Sequence, residues 1–161
     1  PAAELDGDEF EFIELQNVSA ATLDLSGVRF SQGIEYIFPA DARLAPGEHL
    51  VLASNASAFV QRYPTVAPSD VYAKNLSNSG ERITLSDKTG YPIVSLAYAD
   101  TGLWPAAADG DGYTLVPAPG DAVSPCAWRI SANVFGSPGR ADPSGRGSNC
   151  VAAQYLPVVQ R

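Results

Sequence analysis

Methionine is absent from this 161-residue chain, histidine occurs once, and lysine occurs only at Lys74 and Lys88. Each scarcity removes a class of function. The lone histidine, His49, cannot build a histidine-rich zinc centre. No serine stands in a Gly-x-Ser-x-Gly setting, so a hydrolase nucleophile elbow is excluded as well. Basic residues total 10 against 18 acidic ones, a formal net charge of −8. Non-specific binding to nucleic acid rests on a dense cationic surface that displaces counterions from phosphates, and none is supplied. Six carboxylates fall in the first fourteen residues (Glu4, Asp6, Asp8, Glu9, Glu11, Glu14), so that end repels DNA and anionic lipid alike. No twenty-residue apolar run is present to span a bilayer, and the chain start lacks signal-peptide architecture. The missing methionine extends to position 1, which predicts a processed product or an excised fragment.

Cysteine is limited to Cys126 and Cys150. An even count in an acidic, lysine-poor chain points to an exported protein with one disulfide; the alternative is two free thiols in the cytosol. Apolar residues make up 45%, enough for one domain with a sizeable core and too short a chain for two ordinary ones. Fourteen glycines and thirteen prolines punctuate short apolar runs, the pattern of an all-β sandwich.

Along the chain, a first strand is expected from about Glu9 to Gln16. Its alternation slips at Phe12-Ile13, so either a bulge sits there or both faces are covered. Residues 23–30 read as two short strands around a Ser26-Gly27 turn, and residues 34–38 as a strand stopped by Pro39. Pro46-Gly47 makes a tight turn into a strand at His49–Ala53. Ser54 or Asn55 caps one short helix, residues 56–63, ended by Pro64. Strands follow at 71–73, 82–86 and 93–99, with Val94, Leu96 and Tyr98 on one face. Residues 100–112 read as loop, and 113–116 as the last strand. Trp128 is the one strong anchor beyond it. No internal repeat appears.

Four segments carry a shared pattern: Asp8 to Asn17, Leu23 to Phe30, Leu44 to Leu52 and Leu76 to Leu85. Together they resemble the lamin-tail domain, an immunoglobulin-like antiparallel β-sandwich found in nuclear lamins and in secreted bacterial proteins. The most specific pieces are Phe12-Ile13-Glu14-Leu15-Gln16-Asn17 and the Leu76–Leu85 segment followed by Asp87 and Gly90. The resemblance covers Glu9 to Asp142, with Trp128-Arg129 and Ser137-Pro138-Gly139-Arg140-Ala141 similar to the closing segment of bacterial members. It implies a domain over residues 1–142 and transfers no active site. Residues 143–161 read as a Gly/Ser/Pro-rich spacer and an apolar C-terminal segment tied back by the disulfide. Tyr155, Leu156, Val158 and Val159 in that segment suit a sheet edge of their own domain or of a neighbour, or else a sorting signal.

Candidate sites are few. Asp109-Gly110-Asp111-Gly112 looks like the start of a calcium loop, but position 120 is glycine where an EF-hand needs its bidentate glutamate. Asp109 and Asp111 therefore stand as candidate ligands for calcium, with Asp100 or Asp121 as added oxygens, against the plainer reading of a polar turn. Glu9 and Glu11 alternate with Phe10 and Phe12, which in a regular strand points both at one solvated face. His49, alternating with Leu50 and Leu52, is expected on a solvated face too. Trp104, in a loop beside Pro105, is the best candidate for an exposed sugar- or peptide-binding aromatic; a structural module buries it instead.

With no catalytic constellation beside it, the resemblance to bacterial lamin-tail domains implies a non-enzymatic, extracellular or cell-surface accessory module that positions or tethers a larger protein. No catalytic residue and no required cofactor is assigned. The competing class is a calcium- or carbohydrate-binding accessory domain of a secreted hydrolase or nuclease. The expected partner is a protein or cell-surface component, with homo-oligomers through an edge strand or the C-terminal segment as a variant.

Overall fold

The computed structural model describes residues 6–118 and 123–143. It is all-β with one helix, and its strands fall into several sheets whose pairings are antiparallel with one exception. A 3-10 turn, Gly7–Phe10, leads into β1, Phe12–Gln16. Strand β1 pairs antiparallel with β6, His49–Ala53, and β6 pairs parallel with the two-residue β7, Asp70–Val71. The second sheet runs in the order β4 (Tyr36–Ile37), β3 (Arg29–Gln32), β8 (Arg82–Ser86), β9 (Pro92–Ala97). Short ribbons join β2 (Leu23–Asp24) to β5 (Arg43–Leu44), and β10 (Leu115–Pro117) to β11 (Trp128–Ile130). A Glu35–Ala73 bridge links the two larger sheets along one side.

The main core lies between these sheets: Leu25, Val28, Phe30, Ile34, Phe38, Leu44, Leu52, Tyr72 and Leu85. Ile13, Leu15 and Leu50 pack onto it from β1 and β6. The opposite face of that three-stranded sheet is covered as well. Helix α1, Ala56–Arg62, lays Phe59 on Val51 and Ala53, with Phe12 edge-on to it and Tyr63 tilted against it. Adjacent Phe12 and Ile13 thus serve two cores, one on each face of β1, and the ladder to β6 is unbroken. The slip in alternation marks a doubly covered strand, not a bulge.

Local chemistry sets the turns. Asn55 caps α1, its Oδ1 accepting from the Ser57 and Ala58 N–H groups at 2.9 and 3.2 Å, and the helix closes at Tyr63 before Pro64. Asn17 is 1% exposed. Its Nδ2 donates to the Ala21 and Leu44 carbonyls at 2.8 Å each, and its Oδ1 accepts from Ser19. Gly80 adopts φ +94°, and a Cβ there would stand 2.4 Å from the Tyr98 carbonyl oxygen, so only glycine lets the loop approach that closely.

Several expectations need correction. The first strand begins at Phe12, because residues 7–10 coil into the 3-10 turn. The strand expected over residues 34–38 shortens to Tyr36–Ile37, with Glu35 bridged to Ala73 ahead of it, and a further strand, β11, follows β10. Residues 144–161, including Cys150 and the apolar ending, lie outside the described residues, as does Asp121. Cys126 sits in the 3-10 turn Pro125–Ala127, and its expected pairing with Cys150 falls outside them too.

Candidate functional site

Trp104 is 6% exposed and stacks at a tilt on Trp128, ring centroids 6.0 Å apart. That is a packing role; the flat exposed face a sugar platform needs is not formed by this indole. Asp109 closes the 3-10 turn Ala106–Ala108, and both Asp109 and Asp111 are exposed. Among the described residues, no group of three or more histidine, cysteine, aspartate or glutamate side chains is arranged to hold a metal ion.

His49 is not on a solvated face. Its side chain is 12% exposed, and Nδ1 lies 2.7 Å from Glu14 Oε1. The two are diagonal neighbours across β1 and β6, on the face that α1 covers. Glu14 Oε2 in turn accepts from the Gly139 N–H at 2.6 Å, which ties the closing segment to β1.

Glu11 is likewise half-buried and inward. Its Oε2 accepts from the Leu76 N–H at 2.8 Å and, at 3.4 Å, from the Tyr72 hydroxyl. Burial pushes its carboxyl above the ordinary value, opposed by the Leu76 hydrogen bond and reinforced by the Asp8 charge. Glu81 accepts from the Ser77 N–H and the Tyr98 hydroxyl, holding the same loop from the other side. Asp142 is a more enclosed carboxylate than Glu14. It receives Arg129 at 2.6 Å, the Ala132 N–H and the Ser137 hydroxyl, with side-chain exposures of 14% for Arg129 and 6% for Asp142. These carboxylates bind backbone and fixed partners; none faces a nucleophile across an open cleft.

Among the described residues, what lies open is a sheet edge: strand β9 pairs with β8 on one side only. The Tyr98 N–H donates to Glu81 O, so by alternation Leu96 and Val94 turn their backbone groups toward β8, and Ser95 and Ala97 turn theirs outward. Tyr91, Ile93 and Val94 are exposed large apolar residues there. On the outer face Arg82 donates to Ser95 Oγ at 3.2 Å, so its guanidinium leans across β9 toward the edge. The sequence placed Val94, Leu96 and Tyr98 on one face; nothing local to those residues signalled that the strand has a single neighbour.

The family model of the lamin tail domain matches residues 2–100. The chain belongs to the lamin tail domain family. Lamin tail domains are non-catalytic, immunoglobulin-like modules of protein interaction. No curated protein is matched by the chain. The family match ends before Trp104, yet the segment around Phe135 packs directly onto the matched part: the Tyr63 hydroxyl donates to the Phe135 carbonyl, and the Arg62 guanidinium lies between the Phe10 and Phe135 rings, 3.5 and 4.5 Å from their centroids. No helix among the described residues is long and apolar enough to cross a membrane.

Proposed function

We propose that this lamin tail domain is a non-enzymatic extracellular or cell-surface module that positions or tethers a larger protein through protein contacts. One observation carries the reading: the enclosed carboxylates Glu11, Glu14, Glu81 and Asp142 are engaged in holding backbone, while exposed apolar side chains gather on β9, whose outer edge has no strand partner among the described residues. Polar groups fixed in this way stabilise a scaffold, and an open apolar edge offers a surface for a partner. Export fits the acidic, lysine-poor composition. In that setting Cys126 and Cys150 join in a disulfide that restricts the glycine-rich closing loop and contributes about 3 kcal/mol on a chain-entropy estimate. Two titratable thiols in protein purified without reductant would remove this part of the proposal.

The functional test is retention. An exported reporter carrying residues 1–161 should remain on the surface of source cells, and the reporter alone should be released. The domain should also show no turnover of generic esters, phosphodiesters or glycosides, and no retardation of duplex DNA at about 0.15 M salt. Equal release of both reporters refutes the tethering reading. Turnover abolished by a single carboxylate or serine substitution refutes the non-enzymatic one.

A further inference from the structure

Natural sheets guard their edges with charged residues, prolines, bulges or covering loops, because an open edge templates further pairing. Strand β9 has little of this. Pro92 stands at its first position, and Ile93 to Ala97 carry no charge. The bulge in the β8–β9 ladder falls at the Pro92 end, which leaves Val94 to Ala97 in regular register with β8. No described residue pairs with the backbone of Ser95 or Ala97 on the outer side.

The two faces beside this edge differ in chemistry. On the inner face Val94 is 47% exposed next to Leu96, an apolar surface continuous with Leu85 and Ile83 across β8. On the outer face Arg82 reaches over Ser95, and Lys88 stands exposed in the β8–β9 turn. Neither Arg82 nor Lys88 has a carboxylate within ion-pair distance among the described residues, although the chain carries eighteen acidic groups. A side chain on an added strand lies one strand spacing away, about 4.8 Å, from the residue it pairs with. That is within reach of a guanidinium already leaning toward the edge.

We propose that β9 accepts an extended peptide segment of a partner protein as an added strand, apolar on the face that meets Val94 and acidic on the face that meets Arg82. The proposal rests on the reading of the domain as an interaction module and names the chemistry of its partner. Backbone hydrogen bonds to Ser95 and Ala97 give the affinity, and the two faces give the register. A second copy of this chain fits less well than a partner peptide. Its β9 would bring no carboxylate to Arg82, and two molecules of charge −8 repel.

The test is a nuclear magnetic resonance titration of the intact 161-residue protein with two acetylated probe peptides, one alternating valine and glutamate, the other valine and lysine. The valine–glutamate peptide should shift the Ser95 and Ala97 amides and slow their hydrogen exchange, and the valine–lysine peptide should leave both unchanged. Arg82→Glu should weaken the first peptide by roughly tenfold and let the second bind. Ala97→Pro removes one outward N–H at an edge position that tolerates proline, and should abolish binding while the melting curve shows a folded domain. The proposal falls if the valine–glutamate peptide leaves both amides unchanged at millimolar concentration, or if Ala97→Pro binds it as the parent does. Amide shifts that track protein concentration without peptide assign the edge to a second copy and also overturn it. Surface retention that needs the domain yet survives Ala97→Pro removes the edge site alone; retention that never needs the domain removes the tethering reading instead.

Discussion

Replacing Asn17 by alanine should destabilise the domain more than any other single exchange of an asparagine in it. The side chain is 1% exposed and makes four hydrogen bonds, two donated to the Ala21 and Leu44 carbonyls and two accepted from Ser19. Alanine leaves the Leu44 carbonyl, on a residue 2% exposed, without this donor. The Leu44 carbonyl keeps its ladder partner in β2, so each of the four lost bonds costs about 0.5–1 kcal/mol net. The total comes to about 3 kcal/mol, a large share of the roughly 5–15 kcal/mol that holds a domain together. For a chain of this size that corresponds to a fall in melting temperature of about 9 °C. Urea unfolding of the parent and Asn17→Ala proteins, with the slope held common, measures the difference. A loss below about 1 kcal/mol would mean that water replaces the side chain, and the assignment of Asn17 as the clasp between the β1 exit and Leu44 would be wrong.

Further outcomes follow from the same contacts. Gly80→Ala should cost at least about 3 kcal/mol, since the residue sits at φ +94° and the new methyl meets the Tyr98 carbonyl; thermal melting decides this. Arg129→Ala should cost about 3–5 kcal/mol because it strands the enclosed Asp142 carboxylate, and an Arg129→Ala, Asp142→Ala double variant should recover part of that loss in chemical denaturation. Glu11 has a raised folded-state pKa, so the folded protein holds that proton more firmly than the unfolded chain. Its contribution is therefore greatest at pH below the ordinary carboxylate value and is lost as pH rises through the folded value. The stability of Glu11→Gln relative to the parent should accordingly improve as pH is raised from about 4 to about 7, and a flat difference would show that Glu11 is not perturbed by burial.

Much of the architecture was legible in local residues because local physics decides it. Asn55 ahead of a short apolar stretch and Pro64 after it fix the helix, since capping and the missing proline N–H act within a turn. Alternating residues in β6 and β8 show strands, and the paired apolar residues Phe12-Ile13 leave two readings open, a bulge or double coverage. The decision between those two required α1 to be seen lying on β6 with Phe59 against Val51 and Ala53.

The candidate sites divide the same way. Residue type and spacing in the sequence alone ruled out a histidine-rich zinc site, an EF-hand and a nucleophile elbow, because each needs particular residues that the chain does not have. Where a present residue points was another matter. His49 and Glu11 looked solvent-facing by alternation, yet the first is enclosed beside Glu14 under a segment that begins ninety residues later, and the second is drawn inward by Leu76 and Tyr72. Trp104 could be assigned to neither packing nor recognition until Trp128 was found against it. The open side of β9 is likewise a property of sheet order, not of the strand. Periodicity reports which residues share a face; only the tertiary structure decides what covers that face, because burial, ion pairing and edge exposure are set by neighbours distant in the chain.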